Sequence, residues 1–354
     1  MGVADQGSAL AAYDLTPGVI STIEDARAPS TRSLYRTKWN VFVKWCAKQV
    51  PPVVPAHATI GVILAFLQSK RDENLTHSTI KVYVSALSVH HPGFNGKAVG
   101  KHELVILFQK GVQRQTAVNR PIFPSWDLPV VLRGLCEPPF EPMATSDDRA
   151  LSLKTVLLVA LTTSKRVSDI QALSVDQDCM QFSANGESVR LKPNLRFVTK
   201  NLRVPEAPVH LSAFHPPPFA TAQDERLHCL CPVRALKLYT DRTKESRTTN
   251  QLFVSYKPGL RHGPIGRASL SRWIVEAIKE AYVSVGAPVP EALRAHSTRG
   301  VSTSWAISRG ASVQEICGAA NWVNPSTFVT YYCLDVPASS AAHAVLGVAE
   351  EPTQ

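Results

Sequence analysis

The feature that most constrains the fold is the segment SLKTVLLVALTT at residues 152–163, which is apolar on almost every side of a helix. A surface helix shows one apolar stripe, whereas a helix that is apolar all round must be surrounded by other elements. The segment therefore predicts a large core built around a central buried helix. Because 354 residues exceed the usual size of one domain, we expect two domains of unequal size.

A smaller, all-helical domain is predicted over residues 29–115. The stretch STRSLYRTKWNVFVKWCAKQ repeats apolar residues at spacings of three and four with Arg and Lys between them, which is typical of an amphipathic helix with a basic outer face. Further helices are predicted in ATIGVILAFLQSKR, in HSTIKVYVSALSVHH with Ser78 as its N-cap, and in KHELVILFQKGVQRQ. Residues 1–28 have no clear period, so we expect a flexible lead-in and regular structure from near Ser30.

The boundary of this domain is marked by prolines. Three of them in TAVNRPIFPSWDLP interrupt any helix and predict a linker over residues 116–128. Residues 129–354 are expected to form the second domain with a C-terminal tail. Extended runs broken by prolines at residues 187–211 predict a small antiparallel sheet, and helical periodicity returns from Ser269. The predicted fold class is mainly α with a small antiparallel β-sheet.

The charge of the chain favours a polyanionic partner. There are 38 Lys and Arg against 28 Asp and Glu, which gives a net charge of +10. In the smaller domain Arg36, Lys44 and Lys81 are the first candidates for DNA binding, because the opposite faces of their predicted helices are apolar. The alternative is a helical bundle whose charges are only solvated.

The cysteines favour a reducing compartment, because all seven are scattered without a repeating spacing. The cluster at residues 228–231 lacks the second pair of ligands that zinc needs, so we interpret Cys231-Pro232 as a loop leading into a helix at residues 233–239. No apolar run approaches the roughly 20 residues that span a bilayer, and the N-terminus has no secretion signal. We therefore expect a soluble, intracellular protein without a metal site.

Two motifs combine groups that bind and protonate anions. Arg166 follows the predicted buried helix directly, and Asp169 lies on the same helical face, where it can orient the guanidinium and leave the rest of its fork for a phosphate. The alternative is a plain Arg–Asp ion pair. In HSTR at residues 296–299 the spacing of three places an imidazole beside a guanidinium, which allows proton transfer next to a bound oxyanion. The alternative is a solvated helix start.

The order of these motifs along the chain is more specific than any one of them. Trp322, an indole donor in a predicted turn, follows Arg299 by 23 residues, and the pair Tyr331-Tyr332 comes next. This is the order of the tyrosine recombinase and phage integrase family: Arg, Lys, HxxR, His or Trp, then Tyr. The chain resembles that family over roughly residues 30–345. More closely, residues 157–175, 231–243 and 296–336 resemble the recombinases of DIRS-type and Ngaro-type retrotransposons.

The resemblance implies a helical, SAM-like core-binding domain, followed by a catalytic domain that cuts and rejoins double-stranded DNA through a 3′-phosphotyrosine bond. It implies no metal, ATP or other cofactor. Arg166 and Arg299 would hold the non-bridging oxygens of the scissile phosphate, where negative charge concentrates in the transition state. His296 would assist proton transfer, Trp322 would donate its indole N–H, and Asp169 would support the arginine beside it.

Two assignments stay open under this resemblance. The lysine that protonates the leaving 5′-oxygen is best matched by Lys200, with Lys192 as its rival. The nucleophile is Tyr332 if the TFVxxY arrangement of the retrotransposon relatives applies. It is Tyr331 if the nine-residue count from Trp322 used by bacterial and phage relatives applies. We expect Tyr332.

The resemblance also implies a homo-oligomer, a tetramer on paired sites, that integrates or excises mobile-element DNA in the nucleus. No membrane or small-molecule partner is implied. One alternative is a catalytically silent DNA-binding protein derived from such an element, against which the intact set of site residues argues. The other is a type IB topoisomerase-like enzyme, which shares the chemistry but relaxes supercoils as a monomer. The small helical N-terminal domain argues against it.

Overall fold

The chain divides into two units between Arg120 and Pro121. The computed structural model describes residues 14–116 of the first unit and residues 123–199 and 208–336 of the second. The predicted linker at 116–128 therefore lies partly outside the described residues. No helix in these ranges is both long enough and apolar enough to cross a lipid bilayer.

The first unit is helical. Its core combines aliphatic and aromatic side chains, and the rings of Phe42 and Phe66 meet edge to face with their centres 4.9 Å apart. The predicted helices are all present, with bounds within a few residues of the sequence patterns. The described helices are α1 (Pro17–Glu24), α2 (Pro29–Cys46), α3 (Ile60–Asp72), α4 (His77–His90) and α5 (Glu103–Gln115).

Two local predictions for this unit are wrong. Regular structure begins before Ser30, because Thr16 caps α1 by accepting a hydrogen bond from the Val19 N–H and Pro17 fits a first helical turn, where no N–H is needed. The N-cap of α4 is Thr76 and not Ser78, since the Thr76 hydroxyl accepts the Thr79 N–H at 3.3 Å. Residues 1–13 of the predicted lead-in lie outside the described residues.

The second unit is mainly helical with one small antiparallel sheet, which confirms the predicted fold class. Its sheet has the order β1-β2-β3, and Val189 of β2 lies opposite both Phe182 and Leu211. The described elements are α6 (Leu128–Gly134), α7 (Asp148–Thr163), α8 (Val167–Gln171), β1 (Met180–Phe182), β2 (Ser188–Leu191), β3 (Val209–Ser212), α9 (Ala222–His228), α10 (Pro232–Thr243), α11 (Arg267–Ser284), α12 (Ser297–Ser308), α13 (Val313–Ala320) and α14 (Ser326–Tyr331).

Helix α7 is the centre of this unit, as its apolar pattern predicts. It packs against α10, α11 and α12, and most of its side chains are buried. Its one buried cation, Lys154, donates to the Leu135 carbonyl at 2.8 Å and pairs with Glu141 at 2.5 Å. The helix ends at Thr163, and Ser164 caps it in a left-handed conformation with φ 48° that turns the chain toward Arg166.

The crossing of α6 and α11 gives a test of the packing. A Cβ on Gly134 would lie 2.0 Å from the Ala281 carbonyl oxygen, and helix backbone cannot move aside as a flexible side chain does. We expect Gly134→Ala to lower the free energy of unfolding by about 2 kcal/mol. As a control, Gly111→Ala in α5 meets nothing within 4 Å and should stabilise the chain by about 0.5–1 kcal/mol. Chemical denaturation measures both, and equal stabilities would contradict this close crossing.

Candidate active site

Arg166 stands at the turn between α7 and α8. Its backbone N–H donates to Asp169 Oδ2 at 3.3 Å, and its Nη1 lies 3.8 Å from the same oxygen. The Asp169 carboxylate is buried and also accepts the Ser168 hydroxyl at 3.0 Å. A fixed, buried carboxylate therefore orients the guanidinium, while the partly exposed Arg166 side chain lines an open cleft.

Arg299 is a fully buried cation, with 1% of its surface exposed. Its Nη2 donates to the Ala320 carbonyl at 3.0 Å. Its Nε and Nη1 are also buried, yet they have no acceptor among the described residues. Burial lowers the pKa of Arg299 to about 10. The nearby Tyr332 hydroxyl and Asp169 carboxylate oppose this effect on the pKa, and the charge of Arg166 adds to it. The guanidinium is thus still cationic at neutral pH and holds two unused donors.

Two aromatic rings cover this guanidinium. Its central carbon lies 5.1 Å from the ring centre of Trp322 and 5.3 Å from that of Tyr332. The two rings stack on each other with centres 4.6 Å apart. Trp322 follows Asn321, which ends α13 in a left-handed conformation, and its buried Nε1 has no acceptor among the described residues. Three buried N–H donors, two of Arg299 and one of Trp322, are therefore close together without an acceptor in the described part of the chain.

The two tyrosines differ in their surroundings, although both line one cleft of about 390 Å³. The hydroxyl of Tyr332 lies 3.1 Å from Nε2 of His296, and its ring packs on Trp322 and Arg299. Tyr331 is 68% exposed. Adjacent residues near the end of a helix point in different directions, so one tyrosine faces the buried donors while its neighbour faces solvent.

His296 stands at the start of α12, which side-chain hydrogen bonds hold in place. The indole N–H of Trp126 donates to the Ser297 hydroxyl at 2.8 Å, and that hydroxyl donates to the Arg294 carbonyl at 2.6 Å. His296 is exposed and lines the cleft that contains Tyr332 as well as a second cleft beside it. It therefore lies between the two clefts, beside Tyr332.

The second cleft contains cations that the sequence reasoning missed. It has a volume of about 500 Å³ and is lined by Arg166 and His296 together with Arg267 and Arg272 of α11. Within the described ranges, neither Arg267 nor Arg272 has a carboxylate in ion-pair distance. Exposed arginines on an amphipathic helix are common, so nothing in the local sequence distinguishes these two. What distinguishes them is their position in the same cleft as Arg166.

The remaining candidates lie apart from this cluster. Lys200 lies outside the described residues. Its rival Lys192 follows β2, where its backbone N–H donates to the Cys179 carbonyl at 2.7 Å, and it lines neither cleft.

In the first unit, Arg36, Lys44 and Lys81 are exposed on α2 and α4. The opposite faces of these helices carry the buried Phe42 and Ile80. This is the arrangement that their sequence pattern predicts.

The cysteine-rich segment has a structural role. Helix α10 begins at Pro232, one residue before the predicted start, and Cys231 caps it by accepting the Arg234 N–H at 3.4 Å through Sγ. In the part of the chain that the structure describes, no three His, Cys, Asp or Glu side chains are close enough together to hold a metal ion.

Lys154 and Arg299, both fully buried, give a test of whether the charge of Arg299 serves the fold. Lys154→Met leaves the buried Leu135 carbonyl without its donor, while Glu141 keeps Arg234 as a partner, so the free energy of unfolding should fall by about 1–3 kcal/mol. Arg299→Met removes a buried charge without a carboxylate partner among the described residues and keeps most of the volume, so stability without DNA should change by less than about 1 kcal/mol. Chemical denaturation at pH 7 measures both. A larger loss for Arg299→Met than for Lys154→Met would mean that the arginine is structural.

Solved structures share this architecture. A XerH site-specific recombinase in a post-cleavage complex matches with a TM-score of 0.55 and 13% identity, covering 90% of this chain and 80% of that one. The Tn1549 transposon integrase in complex with transposon right end DNA matches at 0.54 and 11%, covering 90% and 92%. A lambda integrase dimer bound to a COC′ core site matches at 0.50 and 14%, covering 87% and 89%. No protein-family model and no curated protein matches the chain. The fold of this chain is therefore that of the tyrosine recombinases and integrases.

Proposed function

We propose that the chain is a site-specific recombinase that cleaves and rejoins double-stranded DNA through a covalent bond between Tyr332 and a 3′-phosphate. The observation that carries the proposal is the set of buried donors next to Tyr332, on Arg299 and Trp322, that have no acceptor among the described residues. A buried donor without an acceptor costs about 1–3 kcal/mol, so such groups are rare unless a ligand completes them. A phosphodiester supplies several charged acceptors in one group.

In the proposed reaction the Tyr332 oxygen attacks phosphorus, and the bond to the 5′-oxygen breaks. His296, 3.1 Å away, accepts the phenolic proton. The liberated 5′-oxygen takes a proton from Lys200, or from its rival Lys192. Rejoining is the reverse attack by a 5′-hydroxyl, so the energy of the cut bond is kept in the phosphotyrosine and no ATP or other cofactor is required.

The arginines act on the charge of the phosphate. Arg166 and Arg299 hold the two non-bridging oxygens, and Trp322 donates its indole N–H to the same group. Asp169 keeps Arg166 in its orientation through the hydrogen bond to the backbone and the ion pair at 3.8 Å. The preorganised donors stabilise charge in the transition state without reorganising.

The fold and the charge support a proposal for the substrate and the assembly. The matched integrases are described as bound to DNA, and the lambda integrase as a dimer. By analogy, this chain acts as a homo-oligomer, a tetramer on paired sites, and its net charge of +10 suits duplex DNA. The resemblance of residues 296–336 to retrotransposon recombinases supports mobile-element DNA as the substrate and the nucleus as the place of action.

The identity of the nucleophile is tested by covalent capture. The probe is a pool of nicked duplexes with random central sequence. After cleavage the short fragment that carries the 5′-hydroxyl diffuses away, so rejoining cannot occur and the covalent adduct accumulates. DNA that stays on the wild-type protein through a denaturing wash defines the substrate. On that DNA, Tyr332→Phe should form no adduct because the attacking oxygen is gone. Tyr331→Phe, the matched control, should form it close to the wild-type rate, as measured on a denaturing gel.

The opposite pattern, with an adduct from Tyr332→Phe and none from Tyr331→Phe, would assign the nucleophile to Tyr331. Tight DNA binding by the wild-type protein with no adduct on any duplex would indicate the catalytically silent alternative. Relaxation of supercoils by a monomer, without site preference, would indicate the topoisomerase-like one.

Binding through phosphates makes a separate prediction for the first unit. Duplex affinity should fall with salt with a log–log slope of about −0.9 for each phosphate neutralised. Replacing Arg36, Lys44 or Lys81 by Gln should reduce the size of the slope by about 1 each and leave the melting temperature unchanged. Arg226→Gln is the control, because Glu137 lies 3.9 Å from that arginine and already offsets its charge. Titrations at several salt concentrations measure the slopes, and unchanged slopes in all three variants would exclude these residues from the interface.

A further inference from the structure

One side of α12 contacts both the side chain of Tyr332 and the backbone of the segment around it. His296, Gly300 and Ser304 are spaced four residues apart, so they lie along one side of the helix. At one end, His296 is 3.1 Å from the phenolic oxygen. At the other end, the Ser304 hydroxyl donates to the Tyr332 carbonyl at 3.2 Å and accepts the Leu334 N–H at 2.9 Å.

Between these two contacts, Gly300 lets the segment approach the helix. A Cβ at this position would lie 3.2 Å from the Tyr332 carbonyl oxygen and 3.3 Å from the Leu334 side chain. Both distances are below ordinary van der Waals contact, so any side chain at position 300 would push the Tyr332 backbone outward by a few tenths of an ångström. Only glycine, which has no side chain, therefore leaves room for this close approach.

The Ser304 hydroxyl is used differently from its neighbours on the same helix. Helical Ser and Thr hydroxyls commonly bond back to a carbonyl one turn earlier. Thr303 does this to the Arg299 carbonyl, and Ser308 does it to the Trp305 carbonyl. Ser304 is 3% exposed and is bonded instead across to the segment that follows α14.

The chain beyond the tyrosine is also anchored. Leu334 packs against the main core of the unit, and Val336 is buried. Helix α14 ends at Tyr331, and Tyr332 caps it with φ −132° while its N–H still donates to the Phe328 carbonyl at 2.8 Å. Its backbone is therefore held from two sides, by α14 through its N–H and by α12 through its carbonyl.

We propose that Gly300 and Ser304 form a docking notch that fixes the Tyr332 backbone and thereby sets the distance and line of attack of its hydroxyl on the scissile phosphate. The inference rests on the proposed function, with Tyr332 as the nucleophile. Neither residue touches the phosphate, so both are positioning residues. Misplacing a reacting group by about 1 Å costs on the order of 100-fold in rate.

The test separates attack by the tyrosine from the rest of the site. On the captured DNA at saturating concentration, Ser304→Ala and Gly300→Ala should slow adduct formation by roughly 10- to 100-fold. Affinity for DNA should not change. The matched control is Ser308→Ala, which loses a hydroxyl on the same helix that bonds only within the helix, and it should react at the wild-type rate.

A second arm replaces the tyrosine by a small nucleophile. In a Tyr332→Phe background, hydrogen peroxide supplies an anion that forms the new bond to phosphorus while the bond to the 5′-oxygen breaks and that oxygen takes up a proton. This cleavage takes place at the same phosphate, but its rate does not depend on the position of the backbone at residue 332. Adding Ser304→Ala should therefore leave the peroxide rate unchanged.

Equal losses in the tyrosine and peroxide reactions would mean that Ser304 supports the whole site, which overturns the notch. An unchanged adduct rate in Ser304→Ala overturns it as well. Hydrogen exchange of the Leu334 amide gives a readout without activity, because Ser304→Ala should speed that exchange. If the wild-type protein forms no adduct, the proposed function fails, and unchanged exchange at Leu334 in the variant separately overturns the docking contact.

Discussion

The guanidinium of Arg299 is buried without a carboxylate in ion-pair distance among the described residues, and the elements around it are arranged to keep it charged. Ala320, the last residue of α13, offers its carbonyl at 3.0 Å, at the helix end where the backbone dipoles are negative. The faces of Trp322 and Tyr332 supply further favourable electrostatics at 5.1 and 5.3 Å. Together these contacts offset only part of the desolvation cost, as the lowered pKa of Arg299 indicates.

Buried donors without acceptors destabilise the empty site, and a bound phosphate would supply the missing acceptors. In the proposed reaction this gain favours binding of the phosphate. The donors of Arg299 and Trp322 are fixed before any substrate arrives, so they need no rearrangement when charge develops on a phosphate. Arg166 is fixed in the same way by Asp169. The same α12 that carries Arg299 holds the Tyr332 backbone through Gly300 and Ser304. In the proposed reaction, one helix would therefore both bind the phosphate and position the nucleophile.

Sequence patterns predicted the parts of this structure that depend on periodicity. The all-round apolar segment at 152–163 predicted the central helix, and the fold class is confirmed. The short strand β1 was missed, because three residues with little burial carry no alternating pattern. For the two tyrosines, helix geometry could not choose, since it assumed that both lie on a helix. Helix α14 ends at Tyr331, and the surroundings of Tyr332 depend on contacts with residues far away in sequence. The role of Ser304 could not be predicted either, because it too depends on contacts with residues far away in sequence.

The central claim is that the unused donors of Arg299 and Trp322 are completed by a DNA phosphate. A structure of the protein bound to nicked duplex DNA of the captured sequence tests it most directly. We predict non-bridging oxygens of one phosphate within about 2.7–3.2 Å of Arg299 Nη1 and of Trp322 Nε1, with the Tyr332 oxygen in line with the bond to the 5′-oxygen. Donors that are instead bonded to protein groups, with the backbone of the DNA lying elsewhere, would contradict the account.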